Sequence, residues 1–120
     1  MNSFASLLNH PDISFSSIPD GIKVDNPATG ETLAFVRTTR SDGLKLLIQK
    51  AAAAQKLWAA KTALERADVL WRWYFLIKEN KEALARLMTM EQGKSLTESR
   101  GEIDYAASFV RWFAEEARRI

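Results

Sequence analysis

The sequence predicts a mostly α-helical chain that opens on a β-hairpin. Three observations predict it. Apolar residues recur at helical spacing through four segments that follow Ser41. Two of those segments open on the pattern Ser/Thr-x-x-Glu, at Thr62 with Glu65 and at Ser95 with Glu98, the signature of a capping box. Period-two alternation is confined to residues 22–36, around the turn formers Asn26, Pro27, Thr29 and Gly30.

With 120 residues the chain can build one domain at most. Its 47% hydrophobic and 27% charged residues are those of an ordinary globular protein. The 17 basic and 15 acidic residues nearly cancel and are interleaved along the chain. A nucleic-acid binder clusters its cations instead, so no nucleic-acid partner is expected. The chain has no cysteine, which excludes disulfides and thiolate chemistry within it. No Lys or Arg precedes Lys23, and Asp12 interrupts the stretch, which argues against a secretory or transit peptide. No uncharged run approaches the roughly 18 residues that span a bilayer. The expectation is a cytoplasmic protein without a membrane partner. Residues 1–20 lack sustained periodicity and read as an extension, lying on the surface or disordered. His10, the one histidine, reads there as a solvated loop residue.

Ile22 and Val24 alternate with Lys23 and Asp25, and a second run follows through Leu33, Phe35 and Val36. Two antiparallel strands are predicted, with Gly30 supplying positive φ near the end of the turn. Ser41 is the expected N-cap of a first helix, which carries Leu44, Leu47, Ile48, Ala51, Ala54 and Trp58 on one face. The small alanines would let a neighbouring helix approach closely. The second helix, opened by Thr62 and Glu65, carries Leu64, Ala67, Leu70, Trp71, Tyr74 and Ile77, and only Arg72 is polar between Val69 and Ile77. So apolar a helix predicts a central, buried position. Its cluster of Trp71, Trp73, Tyr74 and Phe75 suits core packing rather than base stacking, since these aromatics stand at helical spacing.

Asn80 is the expected cap of a short third helix, with Glu82 and Arg86 pairing at i,i+4. Gly93 ends that helix through positive φ, and Ser95 with Glu98 opens the long fourth one. Ile103, Ala106, Val110, Phe113 and Ala117 form one apolar stripe, and Tyr105, Phe109 and Trp112 an aromatic one beside it. Asp104, Ser108, Arg111, Glu115 and Arg118 form the polar strip. So wide an apolar surface predicts neighbours on two sides. Arg118, Arg119 and Ile120 follow without a glycine, asparagine or proline stop, which reads as a helix cut rather than finished.

Catalytic patterns are scarce. The chain holds no His-Glu-x-x-His, no Gly-x-Ser-x-Gly, no Gly-x-Gly-x-x-Gly and no Walker-type phosphate loop. Glu98, Glu102 and Glu116 are expected to be solvated or capping. Lys94 is expected to be structural or exposed, since nothing nearby in sequence depresses its pKa. No catalytic, cofactor-binding or metal-ligating residue is assigned.

The run EQGKSLTESRGEIDYAASFVRWFAEEARRI resembles the N-terminal region of the aldehyde dehydrogenase superfamily, and bacterial succinate-semialdehyde dehydrogenases most closely. The similarity extends weakly back to NPATGETLA. Ser95 stands where the family often has proline, and both residues suit a helix start. The resemblance implies a parent enzyme of α/β class with a Rossmann-like nucleotide-binding domain. Residues 21–120 would be the N-terminal part of that domain, a hairpin plus four helices, truncated at the C-terminal end. Such enzymes oxidise an aldehyde to a carboxylic acid with NAD or NADP: a cysteine thiolate attacks, hydride leaves to the nicotinamide, and activated water hydrolyses the thioester. The cysteine, catalytic glutamate, oxyanion asparagine and nucleotide loop of the family have no counterpart in these residues. The chain alone is therefore expected to bind no cofactor and to be inactive. By matching helix positions, Tyr105, Phe109 and Trp112 would face the substrate tunnel, with Gly101 and Glu102 near its rim. The alternative is that this stripe packs on a neighbouring domain or subunit. The implied partners are the remainder of the parent polypeptide, further copies in a homo-oligomer, and a small aldehyde substrate. A stand-alone helical module that self-associates without catalysis is the competing account of the whole chain.

Overall fold

The computed structural model describes residues 11–14, 18, 19 and 21–119. His10, and Ile120 with the expected cut end, lie outside the described residues. Strands β1 (Ile13–Ser14), β2 (Gly21–Asp25) and β3 (Thr32–Arg37) are followed by helices α1 (Ser41–Ala59), α2 (Ala63–Glu79), α3 (Lys81–Gln92) and α4 (Leu96–Glu116). The mostly helical class with an N-terminal hairpin is the one observed.

The sheet has the order β1-β3-β2 with both pairs antiparallel. Val36 stands opposite Ile13 on one side and Ile22 on the other. The hairpin is thus joined by a third strand from the stretch that reads as an irregular extension. Two residues are too few to show alternation, and β1 is identified only by its partner. The hairpin turn is built locally. Asn26 Oδ1 accepts the Ala28 N–H at 2.9 Å, the Gly30 N–H donates to the Asn26 carbonyl at 2.8 Å, and Gly30 has φ +74°.

The described residues fall into two compact units. The sheet, α3 and the start of α4 (Asn80–Ile103) form one; Thr39–Glu79 and α4 from Asp104 onward form the other. In the first unit α3 ends at Gly93, with φ +76° and its N–H on the Thr89 carbonyl at 2.8 Å. A Cβ at Gly93 would stand 3.0 Å from Pro27 Cγ, so the hairpin turn rests on this corner. The predicted capping box then starts α4. Ser95 Oγ accepts the Glu98 N–H at 3.2 Å, and Glu98 Oε2 accepts the Ser95 N–H and hydroxyl at 3.2 and 2.8 Å. Ala34, Ala85, Ser99 and Ile103 are buried. The Ser99 hydroxyl shares a 2.8 Å hydrogen bond with Thr89 of α3, which satisfies a fully buried polar group. Asn80 occupies the N-cap position of α3 without a side-chain cap bond. Glu82 pairs not with Arg86 but with Arg100 of α4, bidentate at 2.7 and 2.9 Å. A guanidinium fork matched to both carboxylate oxygens outcompetes a single-turn pair.

In the second unit the capping box at Thr62 and Glu65 is formed, with 2.7 and 3.2 Å backbone bonds. Ser41, by contrast, is the first residue of α1. The N-cap position falls on Arg40, whose side chain makes no cap hydrogen bond. The predicted apolar face of α1 stays exposed, since no residue of the helix is buried. Nor is α2 a central buried helix. Ala67 alone is buried, Leu70, Trp71, Tyr74 and Ile77 are half-buried, and Trp73 and Phe75 are 54% and 61% exposed. A helix apolar all round needs neighbours on every side, and the described residues cover only one.

The buried side of α4 also differs from the predicted stripe. Ser99, Ile103, Ala107 and Ala114 are buried and Val110 and Ala117 half-buried, while Ala106 and Phe113 are exposed. The inward face is thus a row of small residues at 3–4 spacing, which lets backbones approach closely.

Gly93→Ala forces an L side chain into the left-handed region and onto Pro27, and should cost about 1–2 kcal/mol. Gly101→Ala, in helix with open space around the new methyl, should gain about 0.5–1 kcal/mol. Urea denaturation of the two variants checks the contrast, and equal stabilities would deny the corner its role. A second expectation concerns pH. Hydrogen bonds from the Ser95 hydroxyl and then its backbone N–H hold the Glu98 carboxyl below the usual range. A depressed folded pKa contributes stability that is present above the unfolded value and lost as pH falls through the folded one. Ser95→Ala should therefore lower stability at pH 7 by about 1 kcal/mol, as loss of a serine cap does. It should also flatten the acid-side loss below about pH 4.3.

Candidate functional site

On the outward face of α4 in the second unit several aromatic side chains stand exposed together. Position 109 stands four residues after 105, and 112 and 113 stand three and four after 109, so their side chains project from one side of the helix. Small residues on the opposite side bring the helix close to its neighbours there and leave the aromatic side uncovered. Tyr105, Phe109, Trp112 and Phe113 are 67%, 47%, 60% and 58% exposed. The Tyr105 and Phe109 rings meet edge to face with centroids 4.8 Å apart, a favoured aromatic geometry. Trp112 lies on the same face, one turn further on, and is in no ring pair among the described residues.

Ser108, Phe109, Arg111, Trp112 and Phe113 line an open hollow of about 420 Å³. The Ser108 hydroxyl donates to the Tyr105 carbonyl at 2.6 Å, so its proton is committed to the helix. Lys78 of α2 forms a 2.5 Å ion pair with Asp104. That hydrogen bond holds the Lys78 ammonium above its usual pKa, and the nearby Arg111 charge opposes it. The hollow thus has an apolar wall and a cationic margin, which can hold an apolar chain with one polar or anionic end. Phe113 and Arg111 belong to this face although the spacing reading put one in the core and the other in a solvated strip. The signal that could have found them is the run Ala107, Val110, Ala114, Ala117, which marks the opposite side as the packed one.

A larger hollow of about 730 Å³ in the same unit is lined by Asp68, Trp71, Arg72, Phe75, Glu115 and Arg118. Three of its four charged residues are engaged in structure: Arg118 pairs with Asp68 at 3.2 Å, and Arg72 Nε donates to the Asp68 carbonyl. Trp71 and Phe75 stack on each other at 5.7 Å, as expected of packing rather than of base recognition.

In the first unit, Glu102 is paired with Lys94 at 2.5 Å, so Lys94 is a structural cation. Gly101 is exposed, with nothing within 4 Å of the position a Cβ would take. Glu98 is a cap, and Glu116 pairs with Arg119 at 2.9 Å. Among the described residues no group of three or more His, Cys, Asp or Glu could hold a metal ion. No helix among them is long and apolar enough to cross a membrane. The backbone N–H groups of Thr62 and Ser95, just before α2 and α4, donate to Glu65 and Glu98 of their own boxes.

Comparison with known proteins places this geometry. The chain is 54% identical over 99 residues to a glutarate-semialdehyde dehydrogenase of Pseudomonas aeruginosa, covering 82% of this chain and 20% of that protein. It is 50% identical over 101 residues to an NADP(+) succinate-semialdehyde dehydrogenase of Escherichia coli, covering 84% of the chain and 21% of the relative. The crystal structure of an aldehyde dehydrogenase from Brucella melitensis biovar abortus 2308 superimposes with a TM-score of 0.81 at 50% identity, over 83% of this chain and 21% of that one. The chain spans about a fifth of the length of the relatives it matches. The pattern of the aldehyde dehydrogenase family runs through residues 15–120, and the chain belongs to that family.

Proposed function

We propose that these residues are the N-terminal part of the nucleotide-binding domain of an NAD(P)-dependent dehydrogenase that oxidises a dicarboxylic semialdehyde to the diacid. The observation that carries the reading is the family match over residues 15–120, joined to relatives named for glutarate and succinate semialdehyde. The thiol that would form the thioester is supplied by polypeptide beyond these residues, since the chain has no cysteine. The dinucleotide is likewise read as held elsewhere, because the chain has no Gly-x-Gly-x-x-Gly and no Walker-type phosphate loop. The parent is read as a cytoplasmic homo-oligomer; a reducing compartment keeps such a nucleophile free.

Within that enzyme, Tyr105, Phe109 and Trp112 form one wall of the substrate tunnel, with Gly101 and Glu102 near its rim. Their support is the exposed aromatic face of α4, which lacks a covering element among the described residues. Their task is to hold the carbon chain of the aldehyde and to exclude water from it. The stand-alone module is not favoured by any observation that the enzyme reading leaves unexplained.

Purified full-length enzyme should reduce NADP or NAD in the presence of succinic or glutaric semialdehyde, and absence of turnover with both would overturn the reading. In that enzyme Trp112→Ala should raise KM roughly tenfold, as expected when part of an apolar contact is lost, with little change in melting temperature. A lowered melting temperature with unaltered kinetics would assign Trp112 to packing. The isolated 120-residue chain leaves a broad apolar surface open and should self-associate. Light scattering should then give a mass well above 13.6 kDa, and a clean monomer would contradict this.

A further inference from the structure

We propose that the larger hollow of the second unit binds a small zwitterion, a molecule with a free amine and a carboxylate on one apolar body, as in an amino acid. The inference is independent of the dehydrogenase reading, and this hollow shares no lining residue with the one beside Trp112. Its volume of about 730 Å³ suits a small-molecule site. The floor is the Trp71–Phe75 stack, with ring centroids 5.7 Å apart and planes 28° from parallel. Tyr74 meets both rings edge to face, at 5.5 and 5.3 Å, which braces the stack.

Charge decides what this floor can hold. The ionic residues around it are Asp68, Arg72, Glu115 and Arg118, two of each sign. Arg118 and Asp68 neutralise each other at 3.2 Å. Arg72 engages only its Nε, on the Asp68 carbonyl at 3.4 Å, and no carboxylate among the described residues pairs with it. Glu115 has no ionic or hydrogen-bonding side-chain partner among the described residues. One guanidinium on α2 and one carboxylate on α4 therefore stand ready, one on each helix that lines the hollow. A lone anion would gain Arg72 and meet the repulsion of Glu115, and a lone cation the reverse. A zwitterion satisfies both. Its carboxylate takes the planar Arg72 fork, and its ammonium takes Glu115 beside the electron-rich face of the Trp71 indole. The same charges keep the hollow open to solvent in a longer chain, because the centre of a protein–protein contact is depleted in ionic residues. Val69 and Trp73, on another side of α2, are apolar and exposed, and that side is the one suited to a cover.

Two kinds of molecule carry this chemistry: an α-amino acid with an apolar side chain, and an ω-amino acid whose methylenes separate the charges. L-Leucine and 5-aminopentanoate are titrated into the full-length enzyme by ligand-observed NMR, with pentanoate and pentylamine as single-charge controls. At least one zwitterion should bind roughly fivefold more tightly than either control, the upper range for one exposed ion pair. The tighter of the two identifies the class. Arg72→Gln should reduce that zwitterion to the affinity of pentylamine, and Glu115→Gln to that of pentanoate. Controls that bind as tightly as both zwitterions, or zwitterion binding that neither substitution weakens, would overturn the proposal. Turnover of the semialdehydes tests the dehydrogenase reading separately. A measurement that needs no variant is hydroxyl-radical footprinting of the wild-type enzyme, mapped by mass spectrometry. The zwitterion should protect Trp71 and Phe75, and equal oxidation with and without it would overturn the proposal even if both variants failed to fold.

Discussion

The corner at Gly93 is the constraint on which the first unit depends. One left-handed residue reverses the chain between α3 and α4, and the hairpin turn rests against it through Pro27. The capping box that follows satisfies backbone donors which the new helix start would otherwise leave unpaired. Once the two helices are set by this corner, Thr89 meets the buried Ser99, and Glu82 meets Arg100. A Cβ at the corner would press on Pro27 at 3.0 Å.

The core is made of small residues. Among the described residues Ala34 and Ala85 in one unit, and Ala67, Ala107 and Ala114 in the other, are the buried alanines, and no large side chain is fully enclosed. Alanine permits close helix packing but removes little apolar area from water, so burial of these residues contributes modestly to stability. The large side chains do the opposite. Trp73, Phe75, Tyr105, Phe109, Trp112 and Phe113 remain substantially exposed, which gives the chain a surface with the composition of a core. Such a surface needs a cover or a ligand, and the dehydrogenase reading supplies both.

Charge is arranged so that most ionic groups are spent on structure. Glu65 and Glu98 close helix starts, and Lys78, Lys94, Arg100, Arg118 and Arg119 each hold a carboxylate.

The sequence by itself determined what depends on neighbours a few residues apart. The hairpin turn, both capping boxes and the Gly93 stop are legible because each is a local contest of backbone hydrogen bonds and allowed φ, decided within four residues. The aromatic stripe was legible too, from its spacing along α4, and the family from the resemblance that the run EQGKSLTESRGEIDYAASFVRWFAEEARRI carries. Tertiary structure alone decided the rest. Strand β1 exists only through its pairing with β3. Glu82 takes Arg100 over Arg86 because α4 brings a fork within reach. The helix of widest apolar surface, α2, stays half-open, and α4 turns its alanines inward and Phe113 outward. Periodicity says that a helix has an apolar side, but which side is buried is settled by what shape of surface its neighbours can meet, and here they meet the small one.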